Sequence, residues 1–138
     1  MTHSPDARSA NLTLTRMAET LRQKQSRFAR LVGLLIEWLY ANGYEATFGE
    51  TLRTQAEATL NAAQGDGIKN SLHLVKLAID LNLFRDGKLL KTASAYAPAG
   101  AFWKSLGSDC RWGGDFRRAD GKPKPDAYHF SIEYQGIK

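Results

Sequence analysis

The sequence has a single cysteine, Cys110, among 138 residues. That excludes an internal disulfide framework and a cysteine-rich zinc site, and it is compatible with a reducing cytoplasm. Long apolar runs are also missing. The most apolar stretch, Phe28 to Tyr40, contains Arg30 and Glu37 and is too short to span a bilayer, so stable membrane insertion is not expected. The N-terminal MTHSPDARSANLTLTR lacks the apolar core of a secretory signal, and the expectation is synthesis in the cytosol. There are no internal repeats and no linker long enough to set off a second domain. One domain over residues 1–138 is expected, with residues 1–12 as a flexible tail.

What is present suits a soluble globular chain. Hydrophobic residues make up 43% and charged residues 24%, enough to build a core without staples. Nineteen basic residues face fourteen acidic ones, a net charge of +5. A basic balance suits an anionic partner: nucleic acid, anionic lipid or a cell-envelope polymer. A plainly solvated basic surface fits equally well. Nucleic-acid binding would rest on charge alone, because no recognised binding motif occurs.

Apolar residues at helical spacing, Leu14, Met17, Leu21, Phe28, Leu31, Leu35 and Leu39, predict helix up to Ala41-Asn42-Gly43, a C-cap signal. The polar run Gln23–Arg27 leaves open two helices or one interrupted helix. A short strand is expected between Gly43 and Glu50, then a helix over about Gln55 to Ala63. Leu77 to Phe84 reads as a buried strand, and Asp86-Gly87 as a hairpin turn returning through Lys88–Lys91. Ser94 to Leu106, with Pro98 near its start, reads as a helix capped by Gly107. Its aromatics, Phe102 and Trp103, are expected in the core. Arg111 to Phe116 is expected as a loop whose paired glycines allow close backbone approach. Arg117 to Pro125 reads as a mobile basic loop, and Tyr128 to Tyr134 as a final strand.

The chemistry gathers around two of the three histidines. His3 lies in the polar tail. His73 is followed seven positions later by Asp80, and His129 is preceded by Asp126 three positions earlier. Two imidazoles and a carboxylate form a common catalytic zinc set that leaves a fourth position for water. A second carboxylate beside that water is what a hydrolase needs as general base. Asp80 falls in the middle of an apolar strand, where an acid is costly unless paired or metal-bound. His73 and Asp80 are an odd number of residues apart, so one regular strand would put them on opposite faces. For the two to share an ion, His73 must lie just outside the strand and Asp80 inside it.

The text Ser71-Leu72-His73, Ala78 and Asp80, then Trp112-Gly113-Gly114-Asp115-Phe116, then Asp126, His129 and Phe130, resembles the M15 zinc peptidases of the D-alanyl-D-alanine carboxypeptidase and phage endolysin type. The resemblance runs from about Phe28 to about Gly136. It implies an α+β, Hedgehog/DD-peptidase-like fold: a small antiparallel sheet with helices packed on one side. It implies Zn2+ on His73, Asp80 and His129, with Asp126 as general base. Arg53, in a Gly-x-x-x-Arg-Thr context, would face the site and hold an oxyanion or a substrate carboxylate. Ser71 would hydrogen-bond substrate or groups around the ligands, and Trp112 would either line the substrate groove or plug the core. Family members often carry a small residue or glycine where Lys76 stands, so Lys76 is a departure.

The resemblance further implies a peptidoglycan stem peptide as substrate. The short form looks like the phage endolysin branch, which cuts the L-alanyl-D-glutamate bond. Such a monomer would wait in the host cytoplasm and reach the periplasm and cell wall through a separate membrane-pore protein. A D-alanyl-D-alanine carboxypeptidase of the same fold is the alternative within the class. A basic nucleic-acid-binding protein and an inactive wall-binding scaffold are the alternatives outside it.

Overall fold

The computed structural model describes residues 19–49 and 72–137. The first element, helix α1, runs unbroken over Leu21–Ala41. Thr20 caps it: the Thr20 hydroxyl accepts from the Gln23 N–H at 3.1 Å, and Gln23 Oε1 accepts from the Thr20 N–H at 3.0 Å. The polar run Gln23–Arg27 therefore does not interrupt the helix; it forms its first turns. These side chains have distant partners instead. Gln25 Nε2 donates to the Val75 carbonyl at 2.9 Å, and Arg27 forks between Glu19 and Asp109. The helix ends at Ala41, and Gly43 follows at φ +84°, as the Ala-Asn-Gly signal predicts.

Strand β1 (Glu45–Phe48) pairs antiparallel with β2 (Ala78–Arg85). The turn Asp86-Gly87, both residues at positive φ, returns the chain into β3 (Lys88–Leu89), shorter than expected. Helix α2 spans Ala93–Ser105 and is capped by Thr92. It closes at Leu106, one residue before Gly107, and Pro98 sits in its second turn rather than its first. Strand β4 (Cys110–Trp112) and a 3-10 turn over Gly113–Asp115 take the place of the expected 111–116 loop. Strand β5 (His129–Ile132) lies between β2 and β4, giving the order β1-β2-β5-β4 with every pairing antiparallel.

The residues named in the registers sort into two faces. Ile79, Leu81 and Leu83 of β2 share a face with Phe130 and Ile132 of β5 and with Cys110 and Trp112 of β4. Both helices pack on that face. Trp103 of α2 meets Phe130 edge-on at 6.1 Å and Phe28 of α1 at 5.8 Å, and its indole N–H donates to the Ser131 carbonyl at 3.0 Å. Phe102 stacks on Trp38 at 5.0 Å, so both aromatics serve the core as expected. Five apolar side chains of α1 are buried here, which contributes on the order of 10 kcal/mol of hydrophobic stabilisation. Tyr96 pins α2 to the hairpin: its hydroxyl accepts from the Leu83 N–H and donates to the Leu90 carbonyl. Burial raises that phenol to about 12. The two helices among the described residues thus lie on one side of the sheet, and Asp80, His129 and Ser131 point to the other.

Candidate active site

Three chain segments deliver the site. His73 comes from a 3-10 turn over Leu72–Val75 that precedes β2. Lys76, at φ +58°, turns the chain from that helix into the strand. A left-handed residue at this point reverses the direction of the backbone, and so the odd spacing between His73 and Asp80 no longer separates them. Asp80 lies inside β2, and its register partner on β5 is His129. His73 outside the strand and Asp80 within it is the arrangement the spacing requires.

The side chains converge. His73 Nε2 and His129 Nδ1 each lie 3.6 Å from Asp80 Oδ1. The imidazoles stand edge-to-face with centroids 5.4 Å apart. One donor atom from each of the three residues falls within 4.8 Å of the others. Both histidines are buried, at 3% and 6% exposure. A separation of 3.6 Å is too long for a hydrogen bond. Asp80 Oδ1 accordingly has no hydrogen-bond partner among the described residues, although that oxygen is buried. Metal–ligand bonds of about 2.0–2.2 Å in a tetrahedron place donor atoms about 3.3–3.6 Å apart. The donor set suits a divalent cation, and both histidine–aspartate separations match this spacing.

Electrostatics point the same way. Burial alone would raise the Asp80 carboxyl; the contacts from His129 and His73 outweigh it and hold the group well below the usual carboxylate range. Asp80 is thus an anion at neutral pH, the form that binds a cation. Asp126 shifts oppositely. Packing around its carboxyl, followed by the nearby Asp80 charge, raises it above the ordinary value, although the residue keeps a solvent-exposed edge. One neighbourhood thus holds a carboxylate kept ionised and a second acid made more basic, the pairing that acid–base chemistry uses.

Glycine makes this closeness possible. The Asp126 N–H donates to the Gly113 carbonyl at 2.8 Å, and the His129 N–H donates to the Asp126 carbonyl at 3.1 Å. A Cβ on Gly113 would fall 2.0 Å from the Asp126 carbonyl oxygen and 2.8 Å from His129 Cβ. The paired glycines of the sequence do allow close approach, as expected. Gly114 does so for Trp112, whose indole lies against Gly100 and Gly114 and would clash with a Cβ at either. Trp112 is 7% exposed and donates its N–H to the Ala127 carbonyl at 2.9 Å. Of the two roles open to it, the structure gives the core plug: its N–H is already used, and it shapes the site from behind.

Arg53 and Ser71 lie outside the described residues, as does the helix expected over 55–63. Sequence reasoning gave Phe116 no role of its own; its ring lies 5.1 Å from that of His129. It also missed Gly49, whose N–H donates to the Asp80 carbonyl at 2.7 Å, and Ser131, fully buried on the same face as His129 with no partner for its hydroxyl among the described residues. No pattern in the sequence separates that serine from an ordinary strand residue.

Two buried histidines and a half-buried aspartate, with a further carboxylate in the same neighbourhood, have the donor set of a metal-dependent hydrolase. The family model that matches this chain, over residues 64–132, is described as D-alanyl-D-alanine carboxypeptidase. It covers half of the chain, and the chain belongs to the M15 peptidases. It is a peptidase. The fold is similar to the crystal structure of the Serratia marcescens L-Ala D-Glu endopeptidase ChiX, with a TM-score of 0.65 and 20% identity over 84% of this chain and 85% of that one. No curated protein sequence gives a match.

Proposed function

We propose that this peptidase is zinc-dependent and hydrolyses an amide bond in the stem peptide of peptidoglycan, acting as a phage or prophage endolysin. The observation that carries the reading is the convergence of His73 Nε2 and His129 Nδ1 on Asp80 Oδ1, with the Asp126 carboxyl within electrostatic reach. His73, Asp80 and His129 would hold the ion. Bound zinc supplies Lewis acidity, activating water near neutral pH and polarising the substrate carbonyl. Asp126 accepts the proton of the attacking water and returns it to the leaving amine, a role its raised basicity suits. Arg53 would steady the developing oxyanion or grip a substrate carboxylate, and Ser71 would hydrogen-bond the substrate.

The L-alanyl-D-glutamate bond is the proposed target, supported by the likeness in fold to an L-Ala D-Glu endopeptidase. The description of the matching family favours a second reading, removal of a terminal D-alanine. Digestion of purified peptidoglycan followed by mass spectrometry of the muropeptides separates the two. Free N-terminal D-glutamate supports the first, and loss of one alanine with no chain cut supports the second. Elemental analysis of the same preparation, with a chelated control, tests zinc. A metal-free protein that digests peptidoglycan undiminished would overturn the zinc assignment.

In the cell the reading places one peptidase domain, a monomer, in the host cytoplasm until a membrane-pore protein admits it to the wall. No helix among the described residues is long and apolar enough to cross a membrane.

A further inference from the structure

Immediately before Asp126 runs the segment Arg117 to Pro125, which carries four basic residues and one acidic residue. It is folded onto the site. Arg117 bridges to Pro123, the Arg118 N–H donates to the Lys122 carbonyl at 2.8 Å, and the Lys124 N–H donates to the Phe116 carbonyl at 2.9 Å. Phe116 in turn lies against His129. Both stems of this loop are therefore fixed to the active-site wall.

Its charges are not equivalent. Asp120 is consumed within the loop: it pairs with Arg118 at 3.1 Å and accepts the Lys122 N–H at 3.0 Å. Arg117 donates to the Gly121 carbonyl at 3.1 Å. Lys122 and Lys124 are exposed, and neither forms an ion pair among the described residues. Each precedes a proline, which drives its backbone to extended conformations. Lys122 and Lys124 stand four and two residues before Asp126, on a segment that the Lys124 N–H ties to Phe116 beside His129. Two exposed ammonium groups, neither ion-paired among the described residues, thus lead up in sequence to the acid placed at the reacting centre.

We propose that Lys122 and Lys124 form a cationic rail that binds carboxylates of the peptide polymer beside the scissile bond. The proposal rests on the peptidoglycan reading above. Its chemistry is that of a chain bearing several carboxylates at spacings of a few residues, which neutral oligosaccharides do not offer. The rail supplies attraction and direction, and it takes no part in bond breaking.

The test is co-sedimentation of the full chain with purified peptidoglycan sacculi over a range of salt, using the wild type, Lys122→Ser/Lys124→Ser and Lys122→Arg/Lys124→Arg. Sacculi whose carboxyls have been amidated, and duplex DNA, serve as comparison ligands. The serine variant should bind sacculi about fivefold more weakly at low salt, with the gap closing as salt rises, and the arginine variant should restore binding. Amidated sacculi should abolish the difference between variants. Equal binding of sacculi by the wild type and the serine variant would overturn the proposal, as would a penalty that persists on amidated sacculi. Tighter binding to DNA than to sacculi, with the same lysine dependence, would assign the rail to nucleic acid instead. Failure of the parent reading has a different signature: the wild type leaves sacculi undigested, whatever it binds.

Discussion

Asp80 and His129 are register partners across the β2–β5 ladder, and Asp80 Oδ1 lies 3.6 Å from His129 Nδ1. Backbone hydrogen bonds of a central strand pair hold this acid and this imidazole, while His73 arrives on a separate turn. Two of the three donors are thus fixed before any ion binds, which lowers the ordering cost of binding. Asp80→Ala or His129→Ala should lower zinc affinity by at least about 100-fold, beyond what loss of a supporting hydrogen bond costs. Competition with a chromophoric chelator measures it. Retained affinity in both variants would move the ion elsewhere.

Asp126→Asn separates binding from chemistry. The substituted amide keeps the shape of the side chain and the backbone bonds to Gly113 and His129, but it cannot take a proton. Zinc content should match the wild type while turnover of peptidoglycan falls about 10²–10⁴-fold. Full turnover in this variant would remove Asp126 from the role of general base.

Acid stability should depend on a site far from the chemistry. Burial pushes the Asp109 carboxyl up, but Arg27 and Lys24 prevail and hold it below its ordinary value. A carboxyl lowered by folding stabilises the native state above its unfolded pKa of about 3.9, and that contribution is lost as pH falls through the folded value. Asp109→Asn should therefore cost about 1 kcal/mol at neutral pH and progressively less below about pH 4, measured by urea melts. An equal cost at both ends would assign the loss to packing.

The chemistry was more legible than the packing. Asp80 in an apolar strand, with two histidines in apolar settings, announces a site because buried charge demands a partner. The odd spacing even predicts the turn that Lys76 supplies. Gln23–Arg27 misleads, because a polar run looks like a break when its partners lie far off; Arg27 meets Asp109 82 positions away. Trp112 was ambiguous for a related reason. An indole in a glycine-rich stretch fits a groove or a core equally, and Gly100, which decides the matter, sits in another element. The helix-bearing and site-bearing faces, by contrast, follow from simple alternation along β2.

Trp112 tests that last assignment. Trp112→Ala should destabilise by about 3–5 kcal/mol, because Gly100 and Gly114 leave no side chain to fill the space. Trp112→Phe should cost about 1–3 kcal/mol by stranding the buried Ala127 carbonyl. Thermal unfolding measures both. A groove-lining role would instead raise KM and leave the melting temperature nearly unmoved.

Lys76 turns a departure from the family pattern into a measurable effect. At φ +58° a lysine occupies the left-handed region, which costs an ordinary residue about 1–2 kcal/mol and glycine almost nothing. The exposed side chain gives no packing in return. Lys76→Gly relieves the strain but adds about 0.5–1 kcal/mol of unfolded-state entropy, so its net effect should lie between zero and about 1.5 kcal/mol of stabilisation. Lys76→Val cannot relieve the strain and adds a branched Cβ where the backbone tolerates it least, so it should destabilise. The glycine variant should also keep zinc affinity, since it preserves the turn that carries His73 to Asp80. If glycine destabilised while valine did not, backbone conformation would not be what Lys76 contributes, and its ammonium group would be the remaining candidate.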